Sequence, residues 1–587
     1  MICIARIWGI AVFLLLTCQQ MANGQTVAAE KLRQLIDEVW QFDLQESPLL
    51  ATRVGVHQYN DQLGHQAVAD YKRRIVAKRE FDNRLRKIDR SQLKRPDQIN
   101  YDVFGRLLRN ELDEANYRSY LIPITNRSGF HISFPQLAKQ VPLNSVKDYE
   151  NYIARLHAFE RYTDEHIGLM RSGIKEGMVL PAVVLEGYQD SIATHIVEDP
   201  RRSLLYTPFT KMPAKISRDD QQRLAAAGRQ AISSSVVVGY RKFLEFMEQE
   251  YVPVCRGSIG AAALPNGRDF YRHRVRRFTT LEVMPEQVHQ TGLAEVTRIR
   301  TEMAEVIEQV EFKGDFAAFL NHLRTDPKFY PKSAEELKKE TAYVLKKMDG
   351  QLPRLFKTMP RTPYGIRVVP AYIAPKTTTA YYQQPTGDGS QAGFYYINTY
   401  NLQARPLYGV EALSLHEAVP GHHLQIALQQ ELTGLPDFRR FAGVTAFVEG
   451  WALYSERLGL EVGFYQDPYS NFGRLTYEMW RACRLVVDTG MHFLGWTRQQ
   501  AIQFMAENTA LSLHNIEAEV DRYISWPGQA LAYKIGELKI RELRTLAEAE
   551  LGGRFDVRLF HDAVLGHGAI PLDVLEENIR QFIKENK

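Results

Sequence analysis

The apolar residues of this chain recur mostly with the period of an α-helix. Near the N-terminus, the spacing i, i+3, i+4, i+7 and i+10 places five of them on one helical face: Leu32, Leu35, Ile36, Val39 and Phe42. The same period returns over residues 149–159. Ser333 followed by Glu336 forms a capping-box pattern that predicts the start of another helix. Most of the chain is therefore predicted to be helical.

Two short segments instead have the pattern of β-strands. They are Gly365 to Val369 and Phe394 to Thr399, and the second follows a turn-rich stretch. No internal repeat and no Pro/Gly/Ser-rich linker divides the chain. The predicted fold class is mainly α: a large helical body with a small β element and two lobes around a cleft. We place the lobes at residues 25–280 and 281–587, after a signal peptide at residues 1–24.

The first 24 residues have the pattern of a secretory signal peptide. Arg6 supplies the positive charge, residues 7–16 form an apolar run, and residues 22–24 are small enough for cleavage. The run is too short to cross a bilayer, which takes about 20 residues, so no stable membrane span is predicted. Cys18 is a candidate acylation site, but Thr17 is bulkier than the residue usual before an acylated cysteine. We therefore expect an exported periplasmic or extracellular protein rather than a lipoprotein.

Composition and charge exclude several classes of function. The chain is 45% hydrophobic and 24% charged, which is ordinary for a globular protein. Its formal net charge of +4 is too nearly balanced to favour a nucleic-acid partner. The four cysteines exclude a disulfide scaffold, and no two have metal-ligand spacing, so any bound metal must rely on histidine and carboxylate. Whether Cys255 and Cys483 pair stays open.

Three of the sixteen histidines cluster in the segment HEAVPGHH, residues 416–423. In a helical HExxH motif, two histidines one turn apart bind one Zn²⁺, and the glutamate between them faces the attacking water. Here Pro420 stands where the second histidine is expected, and Pro420 with Gly421 predicts a bulge in a helix from about Val410 to Leu432.

Either of two histidines is a candidate second ligand. Omitting Pro420 and Gly421 restores HEAVH, which favours His422. His423 lies at i+7 on the same helical face as His416, although two turns of helix rise by about 10 Å.

A catalytic zinc needs a third protein ligand. The segment FVEGWALYSE, residues 447–456, supplies Glu449 as the candidate. Glu456 lies on the same face seven residues later, and we interpret it as a carboxylate that supports a ligand or as a surface residue.

HEAVPGHH followed by FVEGWALYSE resembles a large, often exported bacterial family catalogued as a domain of unknown function. That family is similar to the gluzincin zinc metallopeptidases, whose relatives include the helical oligopeptidases and angiotensin-converting enzyme. The resemblance implies Zn²⁺ as cofactor, His416, His422 and Glu449 as its ligands, and Glu417 as general base. It extends to the segments at residues 48–59, 481–492 and 519–535.

The resemblance also draws attention to a late segment of the chain, because such peptidases place a tyrosine near the scissile carbonyl. Tyr523 and Tyr533 are the two candidates, and the choice between them stays open. Arg522 and Lys534 beside them are candidate substrate-binding residues.

Three further residues are candidates for supporting roles. Asp488 and His492, at i and i+4, share a helical face and either orient a zinc histidine or form a structural pair. The strand predicted at residues 394–399 is a candidate for pairing with an extended peptide, and Asn398 is its candidate contact.

The predicted function is zinc-dependent hydrolysis of peptide bonds, with a peptide as substrate. The alternatives are a zinc amidohydrolase of non-peptide amides and a secreted binding protein with a degenerate peptidase fold. The sequence does not predict exopeptidase or endopeptidase mode, or the oligomeric state.

Overall fold

The computed structural model describes residues 26–371, 374, 378–387, 389 and 391–587. The predicted signal peptide and Cys18 lie outside the described residues, so both stay predictions. None of the helices in the described ranges combines the length and apolar character needed to span a bilayer. Cys255 and Cys483 are both free thiols and do not pair.

Helices make up most of the described chain, which confirms the predicted fold class. In the first half they cover residues 26–46, Pro48–Arg53, Val68–Arg86, Arg95–Asn116, Phe130–Ser133, Val146–Glu176, Tyr188–Ala193, Arg218–Ala231, Val237–Phe246, Gly267–Thr279 and Pro285–Gln309. In the second half they cover Phe316–Thr325, Ala334–Asp349, Leu352–Leu355, Val410–Glu417, His422–Glu431, Asp437–Phe441, Thr445–Leu458, Pro468–His492, Arg498–Asn508, Leu513–Ser525, Ala532–Leu551, Val557–Leu565 and Leu572–Asn586.

The local signals read from the sequence explain where several helices begin and which face they bury. In the first helix, Leu32, Leu35, Ile36 and Val39 are buried, and Phe42 is partly buried. Ser333 caps a later helix, because its hydroxyl accepts a hydrogen bond from the Glu336 amide at 3.1 Å.

A three-stranded sheet accompanies the helices. Its strands are β1 (Tyr364–Val368), β2 (Ala380–Gln383) and β3 (Gly393–Ile397). β3 lies in the centre, parallel to β1 and antiparallel to β2. The sequence predicted β1 and β3 and missed the four-residue strand β2. The sheet contacts the two helices of the histidine motif.

Buried apolar side chains form two large clusters. One includes Leu32 and Trp451, and the other includes Phe159 and Val486. Each cluster therefore takes residues from both sides of position 280. The predicted lobes, 25–280 and 281–587, do not coincide with these clusters and stay a prediction.

Two helix pairs form the frame around the histidine motif. Pro468–His492 packs along Pro285–Gln309, and Thr445–Leu458 packs along Ala532–Leu551.

The second pair meets at two glycines. A Cβ on Gly450 would lie 2.5 Å from backbone atoms of Gly536, so neither position has room for a side chain. The close approach fixes Glu449, beside Gly450, relative to Tyr533 on the neighbouring helix.

Candidate metal centre

The predicted motif helix is interrupted at the motif itself. One helix, Val410–Glu417, ends at the first His-Glu pair, and another, His422–Glu431, begins at the second histidine. The prediction of one bulged helix from Val410 to Leu432 is therefore corrected to two helices joined by residues 418–421.

The four connecting residues form a tight loop. Pro420 has no amide hydrogen with which to continue the helix. A Cβ on Gly421 would lie 1.9 Å from the carbonyl oxygen of His416, so the loop closes only with glycine there. Trp451 Nε1 donates a hydrogen bond of 2.8 Å to the Pro420 carbonyl. The Pro-Gly insertion thus returns His422 to the end of the first helix.

This loop brings three potential ligand atoms together. One nitrogen or oxygen from each of His416, His422 and Glu449 lies within 4.8 Å of the other two. Glu449 Oε2 is 3.8 Å from Nε2 of His416 and 3.5 Å from Nε2 of His422. Ligands on a tetrahedral ion with bonds of 2.0–2.1 Å lie roughly 3.3 Å apart, so these spacings are close to those of a metal site.

His423 lies away from this cluster. Its Nδ1 accepts a hydrogen bond of 2.9 Å from the Tyr382 hydroxyl, and its Nε2 donates one of 3.1 Å to the Thr362 carbonyl. Burial lowers the pKa of His423 to about 4, which keeps the ring neutral. Of the two histidines left open by the sequence, the structure brings His422 to His416 and Glu449.

Glu456 lies directly behind His416. Its Oε1 is 2.8 Å from Nδ1 of His416 and 3.5 Å from Nη2 of Arg481. The carboxylate is almost fully buried. Because Nδ1 is engaged, Nε2 is the ring nitrogen that faces Glu449, which is the arrangement that carboxylates impose on metal-binding histidines.

The electrostatics of the cluster favour a cation. Burial lowers the pKa of His416, but the neighbouring carboxylates of Glu449 and Glu456 outweigh it and raise that pKa to about 9. Burial raises the pKa of Glu449, but the neighbouring imidazoles of His416 and His422 lower it well below its ordinary value. The two carboxylates therefore favour a positive charge at the His416 imidazole.

A cavity of about 400 Å³ opens beside the cluster. His416, Glu417, His422 and Glu449 line it. Glu417 is the last residue of its helix and only 9% exposed. A carboxylate is thus positioned beside the three potential ligands and at the surface of a space that a small substrate could enter.

Of the two candidate tyrosines, the structure brings Tyr533 to the cavity. The Tyr523 hydroxyl lies in the protein interior, where it accepts hydrogen bonds from Trp480 Nε1 at 2.9 Å and Arg484 Nε at 2.8 Å. Tyr523 is not among the residues that line the cavity, so the expectation that it faces a substrate is corrected.

Among the candidate substrate-binding residues, only Arg522 lines the cavity. Lys534 is fully buried, and its Nζ lies 2.9 Å from carboxylate oxygens of Glu295, Glu478 and Glu537. It is an internal counter-ion rather than a substrate contact, which corrects the prediction.

Asn398 is also a structural residue. Its Nδ2 donates to the carbonyls of Ala374 and Thr378, and its Oδ1 accepts from the Tyr400 amide. It is fully buried at the end of β3, away from the cavity lining, so the expectation of a substrate contact is corrected.

Asp488 and His492 neither pair with each other nor contact the potential ligands. Asp488 accepts from the Tyr271 hydroxyl at 2.5 Å and the Gly528 amide at 3.1 Å. His492 accepts from the Ala261 amide and donates to the Tyr523 carbonyl. Both residues join the long helix Pro468–His492 to neighbouring segments, so the expectation that they orient a zinc histidine is corrected.

The strand available to an extended ligand is β2, not β3. β3 is paired on both sides, which corrects the expectation that residues 394–399 bind a peptide. β2 is an edge strand of the described sheet, and residues 378–382 line the cavity.

Sequence reasoning missed four residues of the cavity wall on the helix Pro468–His492: Tyr477, Trp480, Arg481 and Arg484. Their spacing i, i+3, i+4 and i+7 places them on one face. A helical face that carries two aromatic and two cationic residues was a signal available in the sequence.

Two solved structures are similar to the chain over nearly its whole length. A protein of Colwellia psychrerythraea described as a "putative lipoprotein" is 30% identical, with a TM-score of 0.89 over 96% of this chain and 99% of that chain. A "putative lipoprotein of unknown function" from Shewanella oneidensis shares the fold, with 17% identity and a TM-score of 0.68 over 94% of this chain and 99% of that chain. No curated protein matches the chain.

A family model gives the relationship directly. The model described as "Bacterial protein of unknown function (DUF885)" matches residues 48–579, almost all of the described chain. The chain therefore belongs to the DUF885 family.

Proposed function

We propose that the protein is a zinc-dependent metallopeptidase that hydrolyses the peptide bonds of peptides or oligopeptides. The observation that carries this proposal is the convergence of His416, His422 and Glu449 at a cavity that Glu417 also lines.

The donor set fits zinc. Two imidazoles and one carboxylate form a common set of protein ligands for catalytic zinc, and they leave a further position for water or substrate. Glu456 fixes the ring of His416 so that Nε2 points to the shared space. The spacing of Glu449 from both rings requires only small shifts to close on one ion.

The residues around this set have defined tasks in peptide hydrolysis. A zinc ion bound there would supply a Lewis acid that polarises the substrate carbonyl and makes water more acidic. Glu417 would take the proton from the attacking water and return it to the leaving amine. The Tyr533 hydroxyl would donate to the oxygen on which negative charge develops, a contribution of about 3 kcal/mol.

The edge strand β2 supports a peptide as substrate. The Asn398 amide donates to the Thr379 carbonyl, so alternate residues of β2 pair with β3. Ala380 and Tyr382 alternate with the paired residues, so their backbone N–H and C=O groups face the open side of the strand. An extended peptide can add there by main-chain hydrogen bonds, which do not depend on its side chains.

We also propose that the protein is exported. The N-terminal residues have the signal pattern, and both similar structures carry the description "putative lipoprotein". The intact mass of the protein isolated from its own cells distinguishes a soluble product cleaved after Gly24 from a lipid-modified product that begins at Cys18.

Two variants test the mechanism. Glu417→Gln should keep one zinc per chain and lose peptidase activity by orders of magnitude, whereas His416→Ala should lose both. Glu411→Gln is the matched control, because Glu411 is on the same helix but not among the cavity residues. Full activity in Glu417→Gln would refute the mechanism, and turnover of non-peptide amides alone would identify an amidohydrolase.

A further inference from the structure

One part of the cavity wall carries more positive than negative charge. Arg127, Arg484 and Arg522 all line the cavity and all contact the carboxylate of Glu519. Arg127 Nη1 is 3.2 Å from Oε1, while Nη2 of Arg484 and Nη2 of Arg522 are each 3.0 Å from Oε2. Three guanidinium groups thus share one counter-charge.

The excess positive charge is largely buried, so water screens it poorly. The side chain of Glu519 is 2% exposed, and those of Arg484, Arg522 and Arg127 are 4%, 13% and 27% exposed. Like charges held together with little solvent destabilise a protein unless an anion joins them. The arginine wall, defined as Arg127, Arg484 and Arg522, therefore favours a negatively charged ligand.

The wall also has an unused hydrogen-bond donor. The guanidinium of Arg484 stacks on two rings of the cavity lining, 4.5 Å from the centroid of Trp480 and 4.2 Å from that of Tyr533. Its Nε and Nη2 are engaged by Tyr523 and Glu519. Its Nη1 is buried and has no partner among the described residues. An arginine held this rigidly is suited to a planar carboxylate.

We propose that the arginine wall binds a carboxylate of the substrate, supplied by the C-terminus of a peptide or by an acidic side chain. This inference rests on the proposed function and names its substrate class. The cavity is at the small end of the roughly 300–1,000 Å³ typical of ligand sites, so the carboxylate and the cleaved bond belong to the same short stretch of peptide. Tyr533 lines the same cavity as the three potential ligands and stacks on Arg484.

Matched peptides test the inference. Acetyl-Ala-Ala-Ala is compared with its C-terminal amide, and acetyl-Ala-Glu-Ala-amide with acetyl-Ala-Gln-Ala-amide, each incubated with the zinc-loaded protein. Within one pair, we expect the carboxylate form to have a kcat/KM about 10- to 100-fold higher, the range for hydrogen bonds to a charged group. A preference in the first pair assigns the carboxylate to the C-terminus, and one in the second pair assigns it to a side chain. No preference in either pair overturns the proposal.

Variants test whether the arginine wall causes any preference for a carboxylate peptide. Arg127→Gln changes the most exposed member, so the risk to folding is smallest, and it should remove most of the preference for the carboxylate form. Arg522→Gln should act in the same direction. Arg498→Gln is the matched control, because Arg498 is 29% exposed and pairs with Asp521 on the same helix as Glu519, outside the cavity lining. An equal preference in Arg127→Gln and wild type overturns the proposal.

Measurements of peptide binding test this inference independently of the proposed peptidase activity. If none of the four peptides is hydrolysed, the peptidase proposal loses its support, and calorimetry with Glu417→Gln protein still measures their affinities. Tighter binding of a carboxylate peptide than its neutral partner, lost in Glu417→Gln/Arg127→Gln, supports the wall. Equal affinities overturn it.

Discussion

Replacing Glu456 by glutamine should weaken zinc binding while the protein stays folded. Glu456 Oε1 lies 2.8 Å from Nδ1 of His416 in a fully buried position. Glutamine keeps the size of the side chain and one oxygen that can accept this hydrogen bond, but it removes the negative charge that strengthens the imidazole as a ligand. Changes in such supporting carboxylates typically cost 10–100-fold in metal affinity, which is about 1.4–2.8 kcal/mol.

Competition with a chromophoric zinc chelator measures this affinity directly. Glu411→Gln is the control, because Glu411 is a carboxylate on the same helix whose Oε2 accepts from the Tyr465 amide and the Ser470 hydroxyl instead of a potential ligand. Its zinc affinity should equal that of the wild type. If folded Glu456→Gln protein binds zinc as tightly as the wild type, Glu456 does not set the ligand geometry of His416 and the reasoning fails.

Three further predictions concern the second histidine ligand, the contact between two helices and a buried carboxyl group. His422→Ala should lose stoichiometric zinc after dialysis whereas His423→Ala should keep it, and equal losses in metal analysis would contradict the assignment. Gly450→Ala should lower the free energy of unfolding in a denaturant titration by about 1–3 kcal/mol, because its methyl group would lie 2.5 Å from Gly536; an unchanged value would show that the helices can separate freely. Burial raises the pKa of Asp488 from 3.8 to about 7, so between those values the folded protein retains a proton that the unfolded chain releases, and stability falls as pH rises. Asp488→Asn should therefore gain stability relative to wild type as pH rises through that window, by about 1.4 kcal/mol per unit of raised pKa, and parallel stability curves would contradict this.

The sequence predicts the helical class and the metal motif because both depend on local spacing. A period of 3.6 residues marks a buried helical face wherever that face packs, as at Leu32 to Val39. Pro420 and Gly421 predict an interruption of the helix, because proline lacks an amide hydrogen and glycine tolerates unusual backbone angles. Omitting these two residues from the motif favours His422 over His423, and the structure brings His422 to His416 and Glu449. The role of His422 as a ligand stays a prediction.

The sequence could not predict contacts between distant segments. Lys534, Asp488 and Asn398 are polar residues that suggest chemistry, yet each is satisfied by internal partners that no local pattern reveals. The arginine wall depends on residues far apart in the chain, from Arg127 to Arg522, that meet at Glu519. Strand β2 was missed because four residues are too few to establish a period.

Diffraction from crystals of the zinc-loaded protein, collected at the zinc absorption edge, shows whether His416, His422 and Glu449 hold the ion. We expect one strong anomalous peak about 2 Å from Nε2 of His416, Nε2 of His422 and a carboxylate oxygen of Glu449. A peak at His423, or no peak among these three residues in crystals that contain zinc, would contradict the proposed zinc site.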